Sequence, residues 1–252
     1  MKSMVFAGRV GREIRRDPLS YIFCLGFPLV MLVIMSIVDA SIPAQANMTV
    51  FHLENLAPGI AYFGLTFVML FTGIQVSKDR TTALLLRLYA SPMRAADYAV
   101  GYTLPVLVLG IVQMGVCFAA AALVGAARGT ALPLGDVLLS MLLLVPSLFL
   151  FAGIGILFGS AVSEKAAPGL CSIVISAVGM LGGIWMDIRG IGGVLKKIAE
   201  ALPFYHGVTL SRAPFNGGGE WGVHLLWTVL SGLIVYALAI LVFTARMKKD
   251  RK

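Results

Sequence analysis

Six long runs without a charged side chain dominate this sequence: Leu19–Val38, Pro58–Val76, Tyr98–Val124, Val137–Val162, Ala166–Met186 and Val223–Phe243. Leu19–Val38 alone holds twenty residues. At about 1.5 Å per helical residue it matches the roughly 30 Å hydrocarbon core of a bilayer. Hydrophobic residues make up 59% of the chain and charged ones only 13%, and the mean hydropathy is +0.92. A soluble domain carries about twice that charge. The expected fold class is therefore an all-α integral membrane protein with six transmembrane helices. Pro105, Pro146 and Pro168 fall inside or near the start of spans, where neighbouring helices can resatisfy the backbone. The 252 residues suit one polytopic unit without a second soluble domain.

Lys and Arg set the orientation. Fifteen of the twenty lie in Met1–Pro18, Ser77–Asp97, Ala161–Lys165 and Ala245–Lys252. The intervening segments hold only Arg128, Arg189, Lys196, Lys197 and Arg212. The basic segments mark the cytosolic side, so both termini are expected inside. The net charge of +8 thus reads as membrane orientation rather than nucleic-acid binding. Ala44-Gln45-Ala46 resembles a signal-peptidase site, but the preceding apolar run is longer than a signal peptide's.

Residues 1–18 are too polar to span. Phe6, Val10 and Ile14 recur every four residues while Arg9, Arg12 and Arg16 occupy another face, which predicts an amphipathic interfacial helix on the cytosolic side, ended by Asp17-Pro18. It serves either as a lipid-surface anchor or as a platform that also meets a cytosolic partner. Residues 19–252 are expected to form one six-helix transmembrane domain. About residues 185–219 the chain is rich in Gly and aromatics with two prolines, which predicts a re-entrant outer segment before the last helix.

The chemistry of several function classes is missing. No GxxxxGK[ST] phosphate loop occurs. Gly153, Gly155 and Gly159 lie inside a span, and the four-residue spacing of the last two suits close helix packing. Asp39, Glu54, Asp79, Asp97, Asp136, Glu164 and Asp187 lie at span ends or in loops, and Gln113 is the one strongly polar side chain deep in a span. A stand-alone secondary carrier or channel, the alternative function, would normally place carboxylates at the midplane. Cys24, Cys117 and Cys171 sit singly in different runs, and His52, His206 and His224 lie far apart in sequence, so no disulfide and no metal site are expected.

The inner segment between the second and third spans, about residues 80–92, is the most informative. Thr81 or Thr82 can cap a helix and Ser91-Pro92 stops it. Between them lies a leucine-rich helix too short to span, which either fills a groove on a partner or lies flat on lipid.

At these residues the sequence resembles the permease subunits of type-two ABC exporters. Their acidic-Arg, Gly-Thr-Leu-Glu-Arg-Leu and Ser/Thr-Pro pattern is matched by Asp79-Arg80, Leu85, Arg87-Leu88 and Ser91-Pro92. Ala83, Leu84 and Leu86 depart from its Gly, Thr and Glu. Pro58-Gly59-Ile60, and Leu202-Pro203 with His206 and Arg212, resemble two further family stretches. The resemblance implies a coupling helix, with Arg80, Leu84, Leu85, Arg87, Leu88, Tyr89, Ser91 and Pro92 as ATPase-coupling residues. It implies a second permease subunit, in a homodimer or heterodimer, and a cytosolic ABC ATPase that binds the ATP and Mg, with no cofactor on this chain. The expected function is export of a lipophilic or amphiphilic substrate, such as a drug, antibiotic or lipid-linked molecule. The chain itself is expected to be a transport subunit and not an enzyme, multi-pass in a bacterial plasma membrane, in contact with membrane lipids and no nucleic acid. Phe27, Met31, Phe63 and Phe67, with Met69, are candidates for the substrate path.

Cysteines introduced at Gln45 and Gly218 are expected to react with a membrane-impermeant maleimide from outside, and one at Lys249 is not. Outside labelling of Lys249 would reverse the orientation.

Overall fold

The computed structural model describes residues 2–43, 48–81, 93–219 and 221–250. Among them there is no strand. The helices are α1 (Lys2–Arg16), α2 (Pro18–Ser41), α3 (Leu53–Thr81), α4 (Ala95–Arg128), α5 (Leu134–Ala161), α6 (Ala167–Leu181), α7 (Ile188–Ile191), α8 (Gly193–Glu200), α9 (Pro203–Arg212) and α10 (Trp221–Asp250).

Five of these, α2 to α5 and α10, are long and apolar enough to cross a bilayer. The fifth expected span, Ala166–Met186, is cut short. Its helix α6 has 15 residues, about 22 Å at 1.5 Å per residue. Gly182 and Gly183 end it, and Gly183 turns the chain with φ 75°, a backbone conformation open chiefly to glycine. The next residues fold into α7, α8 and α9, so the stretch about 185–219 is helical and interrupted.

The helix α3 is the hub. In its most apolar stretch 78% of the residues are buried, against 22% in α2 and 17% in α10. It packs against α5, α4, α6 and α2. The glycine pair allows the closest of these approaches. A Cβ on Gly155 would lie 2.6 Å from the Met69 carbonyl oxygen, and one on Gly159 would lie 2.6 Å from that of Gly73. The two backbones touch, as the four-residue spacing predicted. Met69 is fully buried, so this candidate path residue lies in the core.

Residues Lys2–Arg16 form a helix, α1, and Phe6 and Val10 on it meet protein. Phe6 and Val10 are buried. The Phe6 ring stands edge-on to Tyr98 at 5.4 Å and Tyr102 at 5.0 Å. It fills a notch over Gly101, where any side chain would collide with it. Periodicity pointed to Phe6 and Val10 as one face. It could not tell lipid from the aromatic side of α4.

Gly159→Ala is expected to lower the stability of the purified protein by roughly 1–3 kcal/mol, because the contacted atom is backbone and cannot yield. Gly222, with nothing near its Cβ position, supplies the control: Gly222→Ala should leave thermal unfolding unchanged or raise it slightly.

Candidate functional site

The inner end of α3 carries a buried carboxylate. Asp79 is 3% exposed. Arg9 of α1 grips it with two hydrogen bonds, Nη1 to Oδ2 and Nη2 to Oδ1, both 3.1 Å. The Tyr102 hydroxyl of α4 donates to Oδ2 at 2.8 Å. Gln75 Nε2 donates to Oδ1 at 3.2 Å and to Glu13 Oε2 at 2.7 Å. Glu13 Oε1 accepts from Arg9 Nη2 at 2.6 Å. Three helices are thus fastened at one carboxylate. Burial works against the Arg9 charge, but the hydrogen bonds and charge of Asp79, joined by Glu13, outweigh it and raise its pKa. Arg12 and Arg16 are exposed, so the basic face of α1 divides into one inward anchor and two surface cations.

Arg80 points the other way. Its guanidinium donates to the carbonyls of Ser160 and of Val162, the latter at 2.9 Å. Arg246 of α10 donates to the Ala161 carbonyl at 2.7 Å. The end of α5 leaves carbonyls without helical donors, and two cations occupy that negative end of the helix dipole. Arg80 therefore lies on α5 in this structure. The other coupling candidates, Leu84, Leu85, Arg87, Leu88, Tyr89, Ser91 and Pro92, lie outside the described residues. The chain resumes at Met93, and α4 begins with Asp97 Oδ2 accepting the Arg94 backbone N–H at 2.9 Å.

An aromatic ladder rises between α2 and α3. Phe71 lies 6.1 Å from Phe23, Phe23 lies 6.3 Å from Phe67, and Phe67 lies 5.0 Å from Phe27. Phe63 continues it, 6.5 Å from Phe27 and 5.7 Å from Phe67, and meets Trp185 at 5.3 Å just beyond α6. These separations allow edge and offset ring contacts. Phe23 and Phe27 are also exposed on the surface of α2, and Met31 is half-buried beside them. The structure thus brings Phe27, Phe63 and Phe67 together. Sequence reasoning missed Phe23, Phe71 and Trp185, although Phe63, Phe67 and Phe71 recur every four residues, one face of a helix.

At the far end, the two weaker motif stretches prove to be partners. Arg212 donates from Nε to the Asn55 carbonyl at 2.9 Å and from Nη1 to the Gly183 carbonyl at 2.8 Å. Its Nη2 lies 3.0 Å from where a Cβ of Gly59 would be. Gly59 therefore makes the room that the guanidinium fills. His206 Nε2–H donates to the Glu200 carbonyl at 2.9 Å. Its ring lies parallel to Trp227 at 5.1 Å. Arg212 and His206 tie α9 to the ends of α3, α6 and α8 and to the face of α10. A cavity of about 540 Å³ remains at this end, bordered by Asn55, Gly183, Arg212 and Trp221.

No curated protein matches the chain. The family model described as ABC-2 family transporter protein matches residues 43–241, which takes in the hub helix, the ladder residues of α3 and both far-end motif stretches. Its members are membrane subunits of ABC transporters. This chain belongs to the ABC-2 family of transporter proteins.

Proposed function

We propose that the chain is the permease subunit of an ATP-driven exporter of lipophilic or amphiphilic molecules, paired with a second permease subunit and powered by a separate cytosolic ATPase. The observation that carries this reading is how the helices on either side of residues 82–92 are held. The most buried helix ends just after Asp79 and Arg80, and α4 starts at the Arg94–Asp97 cap. A force applied to that segment would reach α1, α3, α4 and α5 at once, because Asp79 and Arg80 bind all four. The sequence spacing would put Leu84 and Leu88 one turn apart on a helix, with Leu85 and Tyr89 beside them, which suits a groove on a partner.

The ladder supports the substrate class. A path lined by Phe23, Phe27, Phe63, Phe67 and Phe71 offers apolar faces and ring quadrupoles, which suit lipophilic bodies and lipophilic cations. The exposed flanks of α2 and α10 leave room for lipid or for a second permease subunit. ATP-driven closure of the partner would shift the balance between two arrangements of the spans.

Replacing Leu85 and Leu88 together by Asp is expected to weaken association with the ATPase by roughly a hundredfold or more, since burying each leucine contributes about 1.5–3 kcal/mol. Co-purification of the two polypeptides measures it. Undiminished association with full transport would mean that the segment only rests on lipid.

Phe27→Ala and Phe67→Ala are expected to raise the rhodamine 6G concentration needed to stimulate ATP hydrolysis by roughly three- to tenfold, the scale of one lost aromatic contact. Phe149→Ala, on α5 beside Tyr236, should leave it unchanged. Equal responses from all three variants would remove the ladder from the path.

A further inference from the structure

The amide of Gln113, midway along α4, is fully buried and poorly served. Nε2 reaches the Cys117 thiol at 3.3 Å. Oε1 is buried with no hydrogen-bond partner among the described residues. Exchanging the two ends of the amide changes nothing, for one faces the weak thiol and the other still lacks a partner. Such a group is costly inside a membrane unless another arrangement of the protein satisfies it.

The amide lies over Gly64 of α3, with its Cδ 2.6 Å from where a Cβ would sit. The ring of Pro28 in α2 reaches the same point, 3.2 Å from it. Three spans therefore meet at Gly64, and the third is irregular there. Residues Ile22–Gly26 form a π turn, with the Phe27 N–H bonded to the Ile22 carbonyl five residues back. Pro28 brings no N–H, so the carbonyl of Cys24 in an α register, or of Phe23 in a π register, loses its backbone donor. Gly26 has nothing near its Cβ position, so packing does not require a glycine there, whereas bending is eased by one.

We propose that Gln113 is a two-position latch for a hinge in α2. In this structure its amide rests on Cys117. In the second arrangement it donates to the α2 carbonyl that Pro28 leaves without a donor. The hinge carries Phe23 and Phe27, so bending it shifts one side of the aromatic ladder against Phe63, Phe67 and Phe71. The inference goes beyond the transport reading and stands without it, because the hinge belongs to this chain alone.

The test is hydrogen–deuterium exchange, followed by mass spectrometry, on the purified full-length chain in lipid nanodiscs with no ATPase present. Gln113→Leu removes the donor, and Pro28→Ala restores a backbone N–H to the hinge. Each is expected to slow exchange in the peptide covering Ile22–Phe27 by roughly three- to tenfold, the scale of one hydrogen bond. The double variant should slow it no further, because both changes remove the same bent state. Gln113→Asn, which keeps the amide but shortens its reach, should behave like Gln113→Leu and guards against a packing artefact. Unchanged exchange in Gln113→Leu, or fully additive effects in the double variant, overturns the latch.

Discussion

A membrane helix has nowhere to hide the carbonyls at its ends and breaks, and this protein meets that constraint with guanidinium groups. Arg80 and Arg246 close the end of α5. Arg128 donates to the Ser36 carbonyl of α2 and pairs with Asp39 at 3.1 Å. Arg212 bridges the start of α3 and the turn after α6. A guanidinium has several donors in a fixed plane, so one side chain can serve two carbonyls and hold two helices in register. Lysine, with a single flexible ammonium, could not set the same angles. Arg80 and Arg246 belong to the basic segments, whereas Arg128 and Arg212 do not, so fastening helix ends is a role of the guanidinium wherever a helix end lies.

Arg9 serves a different purpose, since its partner is a carboxylate. Asp79 would be expensive to bury alone. With Arg9, Tyr102 and Gln75 around it, its oxygens are satisfied. Removing one partner of a buried pair costs roughly 3–5 kcal/mol. The figure is smaller here, because the Arg9 side chain stays 28% exposed and water screens it. The knot stiffens the end of α3 that carries Asp79. The opposite design holds in α2, where a π turn, a glycine and a proline follow one another. A stiff inner end on the most buried helix thus lies beside an irregular outer helix, one ladder wall on each.

Much of this was legible in the sequence, and the reason differs from element to element. The apolar runs gave the spans because the bilayer fixes their length. Gly155 and Gly159 gave a helix contact because their spacing leaves a strip of bare backbone on one face. Pro58-Gly59-Ile60 and the stretch ending in Arg212 were recognisable as motifs, but not as two halves of one interaction, since nothing in linear order joins residues so far apart. The length of the fifth span was misjudged because hydropathy continues past Gly182, while the backbone turns there. The contact of Arg80 with α5 was not legible, because the unpaired carbonyls at the end of that helix are invisible in sequence. The neighbour of Phe6 and Val10 was not legible, because Phe and Val fit lipid and the aromatic side of α4 equally well.

The route from the inner end to the ladder is short. Asp79 and the ladder residue Phe71 are on the same helix, two turns apart, and Phe63 and Phe67 follow on that face. A rigid helix moves as one body, so tilting the inner end of α3 must displace all three rings. Helix α2 cannot simply follow. Arg128 and Asp39 hold its far end to α4, and at its near end Asp17 caps it through Leu19 N–H at 3.1 Å, directly after α1, which is itself packed on α4. The near end of α2 follows α1, which the Asp79 knot fastens to α3, and its far end is held to α4 by Arg128, so a tilt at the knot bends α2 between them, where the π turn and Pro28 lie. The irregular backbone of α2 is therefore placed where a tilt at the knot would have to be absorbed.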